Sequence, residues 1–551
     1  TNTSPSTSIS TQCTDAAISD VVSVTHPNGA IARYTIRQGA TSRAAVVRAQ
    51  ALVDNGGGSS MIDINSLCMP AQKVVQKRVE VAAQNPLGWQ YQYGGTNGYW
   101  STSPTPSNTT DSVGGVNYTS EEGFVPGNLN STLITNPDGS KQLMLFSARY
   151  DWTEGLLISS QAFDTNGVTR LGKYNYQYQN LGWLSSYASM ANDNNAAHEH
   201  RREPIKNTVV QYSQGTETSF LTELSDYNVY DLPQLVKEYN SYDGNRKWTK
   251  LAYTHDTTAW ILNLPTTTAL SDDGINFSTV SETQYYPMAS AYRLLPQYEK
   301  RFGTVVKTYE SYHPDGNPKR VSLAAPNRWQ QLDNYKRGIA QLVTMPNRDN
   351  ASVTVTASIV VNNDGTVART TDFNGHCSDF GYDSLKRVTL INPCDARWFD
   401  TTIDYQNASD GSPQKKITRG NYEKVTKFDA LLRPLLVSER DVTDANSLRY
   451  LRSSFDANNK PVFRSFASSN ANETNGKAFY YDGMLRNISV CSTVDGSCVR
   501  TRYLSGNAVE LTNARGHITT TQYLAYGSPA QTQPLNIFSP ENVTTSLAYN
   551  L

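Results

Sequence analysis

Along most of this chain apolar and polar residues alternate in short runs, and each run ends at a turn signal. Ala32-Arg33-Tyr34-Thr35-Ile36, Tyr174-Asn175-Tyr176-Gln177-Tyr178 and Val353-Thr354-Val355-Thr356-Ala357-Ser358-Ile359-Val360-Val361 are examples. Successive side chains of an extended strand point to opposite faces, so period-two spacing reads as half-buried β-strand. Pro-Asn-Gly (27–29), Pro-Asp-Gly (137–139 and 314–316), Asn-Asp-Gly (363–365) and Asp-Gly (243–244) stand between such runs. Proline presets φ at the first turn corner, Asp or Asn bonds its own backbone, and glycine accepts positive φ. Helical spacing is scarce: 40–53 is the best helix candidate, and 232–239 fits one or two turns. The chain is therefore expected to be all-β, with little helix.

Two N-terminal segments, 24–34 and 134–146, repeat a turn-then-strand pattern. The low-complexity stretch 101–115 between them reads as an exposed loop. A clearer repeat fills the second half. Tyr382-Asp383 with Arg387, Phe428-Asp429 with Arg433, Phe455-Asp456 with Lys460 and Tyr481-Asp482 with Arg486 share one spacing. The pattern is aromatic, Asp, three variable residues and a base, followed by a short apolar strand. The aromatic packs on the neighbouring hairpin, the Asp opens the turn by accepting a backbone N–H, and the base can pair with it. One hairpin is marginal alone. Hairpins joined edge to edge satisfy one another's open edges, giving a winding sheet stabilised by nearest neighbours.

Composition narrows the class. Of 551 residues only 18% are charged and 38% hydrophobic, while tyrosine occurs 33 times. Neutral polar side chains with many tyrosines suit a secreted β protein better than a cytosolic helical enzyme. Lys and Arg number 48 against 49 Asp and Glu, so charge gives no case for nucleic acid or an anionic membrane. No run of 18 apolar residues is present, so no membrane-spanning helix is expected. Six cysteines, Cys13, Cys68, Cys377, Cys394, Cys491 and Cys498, form three local groups without a C-x-x-C. Cys491 and Cys498 are expected to face one another across a hairpin with a four-residue loop. Cys377 with Cys394 and Cys13 with Cys68 are the remaining natural pairs, which together imply an oxidising, extracellular or cell-surface setting.

The motifs YDSLKR (382–387), FDALLRP (428–434), FDANNKP (455–461) and YDGMLR (481–486) resemble the RHS/YD-repeat family of bacterial polymorphic toxins, Tc-toxin cocoons and teneurins. RYDWTEGLL (149–157) and HDTTAWILNLPTTT (255–268) are similar to segments of its bacterial members. The likeness runs from about residue 137 to the C-terminus. It implies a β-strip that spirals into a hollow shell, often around a C-terminal polypeptide kept inert until release. The chain departs from the family pattern in lacking the Asp-Pro-x-Gly signature, a preceding spike-like domain and a following toxin-like domain. Self-cleavage is therefore not carried over. Its last residues read like the middle of a repeat strand, so a segment of a larger protein, or a shell closed by other chains, is expected.

The expected layout is a β-rich region at 1–130, with a helix at 40–53 and a flexible loop near 101–116, then a strand array at 131–370 and a YD-repeat array at 371–551. No cofactor is expected and no catalytic residue stands out. His198 and His200 would share one side of an extended strand and are the weak metal candidates; a solvated loop is the commoner explanation. The leading function is a non-catalytic shell segment enclosing a toxin-like polypeptide or forming an extracellular scaffold. A self-assembling filament or adhesin subunit, its partners being copies of itself, is the first alternative. A carbohydrate-binding or carbohydrate-active β protein using its tryptophans is the second; a cell-surface glycan or protein receptor would be the partner.

Overall fold

The computed structural model describes residues 19–26, 29–42, 50–54, 59–63, 68–80, 86–94, 109–148, 153, 155–179, 205–213, 215–230 and 232–550. Within them one antiparallel ribbon of 36 strands runs the length of the chain. The strand Ser19–Thr25 pairs with Ile31–Ser42, which pairs with Cys68–Glu80. Leu87–Gly94, Leu129–Thr135 and Lys141–Ser147 follow in the ladder. From there each strand pairs with the next in sequence as far as Thr544–Ser546. The alternating pattern is sufficient reason: each run is too short for a stable helix of its own, and each finds its backbone partners in the adjacent run.

Successive hairpin tips fall alternately on two margins of such a ribbon. The near margin carries the tips at 26–30, 136–140, 164–169, 213–216 and 240–246, and later those at 346–353, 394–400 and 493–497. The far margin carries the tips at 228–232 and 256–261 and all four aromatic-Asp corners.

The ribbon then meets itself. Asn458 Nδ2 on the far margin donates to Asp138 Oδ2 on the near margin at 3.0 Å. The Gly483 N–H donates to Asp164 Oδ1 at 3.0 Å, and the Gly506 N–H to Thr218 Oγ1 at 3.0 Å. Ser213 Oγ donates to the Tyr503 carbonyl at 2.9 Å, and Asn240 Nδ2 to the Ala525 carbonyl at 2.8 Å. These five bonds join residues 285 to 320 positions apart, always in the same order. One winding therefore consumes roughly three hundred residues, and its far margin seats on the near margin of the winding before it.

Among the described residues one conventional apolar core is found. Val113, Val116, Tyr118 and Phe124 pack with Leu129, Leu133, Leu143, Leu145, Leu156, Ile158 and Phe163. The hairpin Thr110–Val113 with Val116–Thr119, turning at Gly114-Gly115, lies over the sheet and supplies three of these eleven residues, Val113, Val116 and Tyr118. Beside it, buried Glu121 pairs with Lys173 Nζ at 2.5 Å and accepts from Gln161 Nε2 at 3.2 Å. From residue 230 onward the buried apolar residues among those described are Ala269, Tyr312, Val321, Val361, Leu524 and Ala525. Most other side chains of the described ribbon beyond that point are half-buried or exposed, with buried polar exceptions such as Asp429 and Arg433.

Three expectations need correction. The helix at 40–53 is not formed in its described parts. Residues 40–42 end the strand Ile31–Ser42, paired with 68–70, and residues 50–53 belong to the strand Gln50–Asp54. Short apolar runs are ambiguous by spacing alone, and ladder pairing decides them. The candidate turns at 232–239 likewise lie in the strand Pro233–Asn240. The loop near 101–116 lies outside the described residues up to 108. Its C-terminal part is the core hairpin, with Val113 and Val116 buried.

Candidate functional site

The four aromatic-Asp corners are built alike. At the first, the Asp383 N–H donates to the Arg387 carbonyl and the Lys386 N–H to the Asp383 carbonyl, both at 3.0 Å. Asp383 Oδ1 accepts the N–H groups of Leu385 and Arg387 at 2.9 Å each, and its Oδ2 accepts Arg387 Nε at 2.7 Å. Asp429 repeats this with Leu431 and Arg433, Asp482 with Met484 and Arg486, and Asp456 takes the N–H groups of Asn458 and Lys460. The fourth residue of each corner has positive φ: Lys386, Leu432, Asn459 and Leu485, at 60 to 63°. The companion turns place Gly375 and Gly516 at that position, where no Cβ is strained. With the Asp side chain holding two N–H groups, a non-glycine residue is retained there despite a cost of about 1 kcal/mol. The Arg387 N–H is the main reason the Asp383 carboxyl sits below the usual carboxylate range.

Each corner is also tied to a neighbour. Tyr481 Oη donates to the Pro461 carbonyl at 2.9 Å, reaching back to the strand that leaves the Asp456 corner. Tyr382 does the same to Val367 at 2.7 Å. Where the aromatic is Phe455 and no hydroxyl exists, Arg433 makes the link, its Nη1 donating to the Asp456 carbonyl at 2.7 Å. The Arg433 guanidinium also lies over the Phe455 ring, as Arg387 lies over Tyr405 and Arg486 over Tyr503. Such cation–π contacts contribute about 0.5–1 kcal/mol each.

Sequence reasoning missed how far the tyrosine links extend. Tyr312 donates to Pro296, Tyr335 to Pro318, Tyr285 to Pro265 and Tyr549 to Pro534, at 2.6 to 3.0 Å. A proline 15 to 20 residues before a tyrosine was the available signal. Burial is the first cause of the raised Tyr312, Tyr335 and Tyr481 hydroxyl pKa values, so these groups remain donors at neutral pH.

Cys491 and Cys498 stand directly opposite in register and are bonded, around the loop 493–496. Cys377 is bonded to Cys394, clamping the open ends of the hairpin whose tip is the Asp383 corner. Cys13 lies outside the described residues, and with it the expected pairing to Cys68. His198 and His200 also lie outside them. Among the described residues no group of three or more His, Cys, Asp or Glu is placed to hold a metal.

Several tryptophan faces are engaged by the wall's own cations: Arg320 over Trp329 at 3.9 Å, Lys77 over Trp89 at 4.5 Å and Arg419 over Trp398 at 5.8 Å. Trp260 and Trp398 are largely exposed. A groove of about 710 Å³ runs along the seam, where His26 faces Leu385, Arg387, Tyr405, Phe428 and Leu432. It brings two aromatic-Asp corners together with the first near-margin tip.

Linked corners on one continuous antiparallel ribbon that winds onto itself define an all-β, shell-type wall. No protein-family model and no curated protein matches the chain. Among solved structures it is similar to the crystal structure of TcdB2-TccC3, at 12% identity and a TM-score of 0.40 over 91% of this chain and 27% of that one. It is similar also to TcdB2-TccC3 without the hypervariable C-terminal region, at 12% identity and 0.40 over 92% and 27%. The third is the Photorhabdus luminescens Tc holotoxin pore, at 13% identity and 0.37 over 96% and 26%. The chain thus spans about a quarter of the length of those chains.

Proposed function

We propose that this chain is a section of wall in a toxin-associated β-shell and that the wall encloses a polypeptide cargo. The observation that carries the reading is the seam: tip-to-tip bonds between successive windings turn an open ribbon into a closed lateral surface. A closed wall works by exclusion. It keeps proteases and partners from whatever lies inside, and no reacting group of the wall is required. The two disulfides support an oxidising, extracellular setting. The aromatic-Asp corners then act structurally, positioning the margin that makes the seam.

The test is protease protection in the particle isolated from its source. Digestion followed by mass spectrometry of the resistant material should recover peptides from a second polypeptide segment, and electron microscopy should show density within the windings. An empty interior, with every non-wall peptide cleaved at the rate of the denatured sample, would overturn the reading.

A further inference from the structure

Buried Glu121 lies where an amine and an amide meet. Glu122 and Gly123, both at positive φ, turn the chain back on itself, and the Glu121 and Phe124 N–H groups each donate to the other's carbonyl at 2.8 Å. The Glu121 carboxylate is thereby held against the strands Leu157–Phe163 and Arg170–Gln177. On those strands Gln161 and Lys173 stand directly opposite one another in register. The carboxylate bridges them: Oε2 accepts Lys173 Nζ at 2.5 Å, and Oε1 accepts Gln161 Nε2 at 3.2 Å. The same cross-strand row continues from Gln161 through Leu143 to Leu133, both fully buried in the apolar core. Gln161 is itself 1% exposed, and its Oε1 meets no donor among the described residues. A buried amide oxygen in that condition asks for a reason.

We infer that Lys173 becomes joined to Gln161 by an isopeptide bond, with Glu121 as the proton carrier. Directly opposed Cβ atoms stand about 5 Å apart, so the lysine stem spans the gap to the Gln161 amide carbon. Glu121 Oε2 takes a proton from Nζ and leaves a free amine. The amine attacks Gln161 Cδ: the Nζ–Cδ bond forms and the Cδ–Nε2 bond breaks. The two protons that Nζ gives up pass through the Glu121 carboxyl to Nε2, which departs as ammonium. The balance needs no oxidant and no co-reactant. Fixed placement of the two groups and a carboxyl positioned to move the proton supply the rate, and the apolar row beside them keeps out competing water. Asn175 is the rival amide. It shares a strand with Lys173, lies 3.4 Å from Glu121 Oε2, and is drawn away by Glu122 Oε1 at 2.8 Å. The new bond staples the hairpin whose tip, at Asp164, accepts the Gly483 N–H across the seam. It does not depend on any cargo.

The experiment uses the full 551-residue chain, folded, then reduced and unfolded for intact mass spectrometry. The chain should be lighter than its sequence by one ammonia. Trypsin cuts after Arg170, between the two residues, so a branched peptide carrying both Gln161 and Lys173 is the direct sign. Glu121→Gln should abolish the branch, because no group is left to move the proton. Lys173→Arg should abolish it too, while keeping a cation beside Glu121 and an unchanged circular dichroism spectrum. Chain kept in urea from the start should show its full mass, because the reaction needs the folded register. Should a variant fail to fold, the mass and peptide map of wild type still decide. A folded wild-type chain of full mass, ammonia lost at Asn175 or any other residue instead, or a branch that persists in folded Glu121→Gln would each overturn the inference.

Discussion

The Arg433 guanidinium reaches forward to the backbone carbonyl of Asp456, 2.7 Å away, while its Nε holds the Asp429 carboxylate of its own corner at the same distance. One side chain thus closes one turn and ties it to the next. Arg433 and Asp429 are both buried, whereas the equivalent Arg387 is half-exposed.

That contrast sets the first prediction. Arg433→Ala removes a buried ion pair with Asp429 together with the bond to the Asp456 carbonyl and should cost about 3 kcal/mol. Arg387→Ala should cost less than ~1 kcal/mol, because water replaces the lost partner. Urea midpoints of the two variants, measured at one pH, give the comparison, and equal losses would contradict the linking role of Arg433.

Gly483 offers a test of the seam. A Cβ there would meet the Phe163 carbonyl oxygen at 2.3 Å and the Asp164 Cα at 2.8 Å, and neither backbone atom can give way. Gly483→Ala should therefore part the windings locally, costing about 1–3 kcal/mol and exposing the 164–169 tip to proteolysis. Gly88→Ala, with no atom of the described residues within 4 Å of its Cβ, is the neutral control. Mapping cleavage sites in both variants decides the matter.

Acid should weaken the wall in a defined window. Asp410 is held at about 2, below its ordinary 3.8, first by Lys427 and then by the Ser412 N–H. Asp372 and Asp383 are lowered as well, each chiefly by the N–H four residues on. A carboxyl depressed in the folded state stabilises above its unfolded pKa and loses that contribution as pH falls through its folded pKa. Stability should be level down to about pH 4 and fall progressively to about pH 2. Asp410→Asn should flatten part of that decline; melting curves across the window provide the measurement.

The two disulfides should differ in weight. Cys377–Cys394 closes the longer loop, with a separation of 17 residues against 7. On chain entropy its removal by paired Ser substitution should cost about 3 kcal/mol, against about 2.5 kcal/mol for Cys491–Cys498. Reduction of wild type should match the double removal, as read from denaturant midpoints with and without thiol.

The corners were legible because their chemistry is local. Asp383, Asp429, Asp456 and Asp482 each act on residues two and four places on, so a short motif contains the whole unit. The four-residue loop between Cys491 and Cys498 was readable for the same reason. The seam was not, because Asn458 and Asp138 lie 320 residues apart and neither departs from ordinary turn chemistry. Spacing over 40–53 favoured a helix, and in its described parts, 40–42 and 50–53, strand pairing prevailed. At 110–119 the polar run hid Val113 and Val116, two isolated apolar residues whose burial depends on the sheet they cover. The proline–tyrosine links are spread over two strands and a turn, too far for periodicity to register.

Strength in such an object has a direction. Around the circumference every strand is held by a full backbone ladder, while along the axis one winding grips the next through scattered side-chain bonds such as Asp138 with Asn458. Force applied along the axis would part the coils first and leave the strip whole. The same load applied tangentially would have to tear hairpins out one after another.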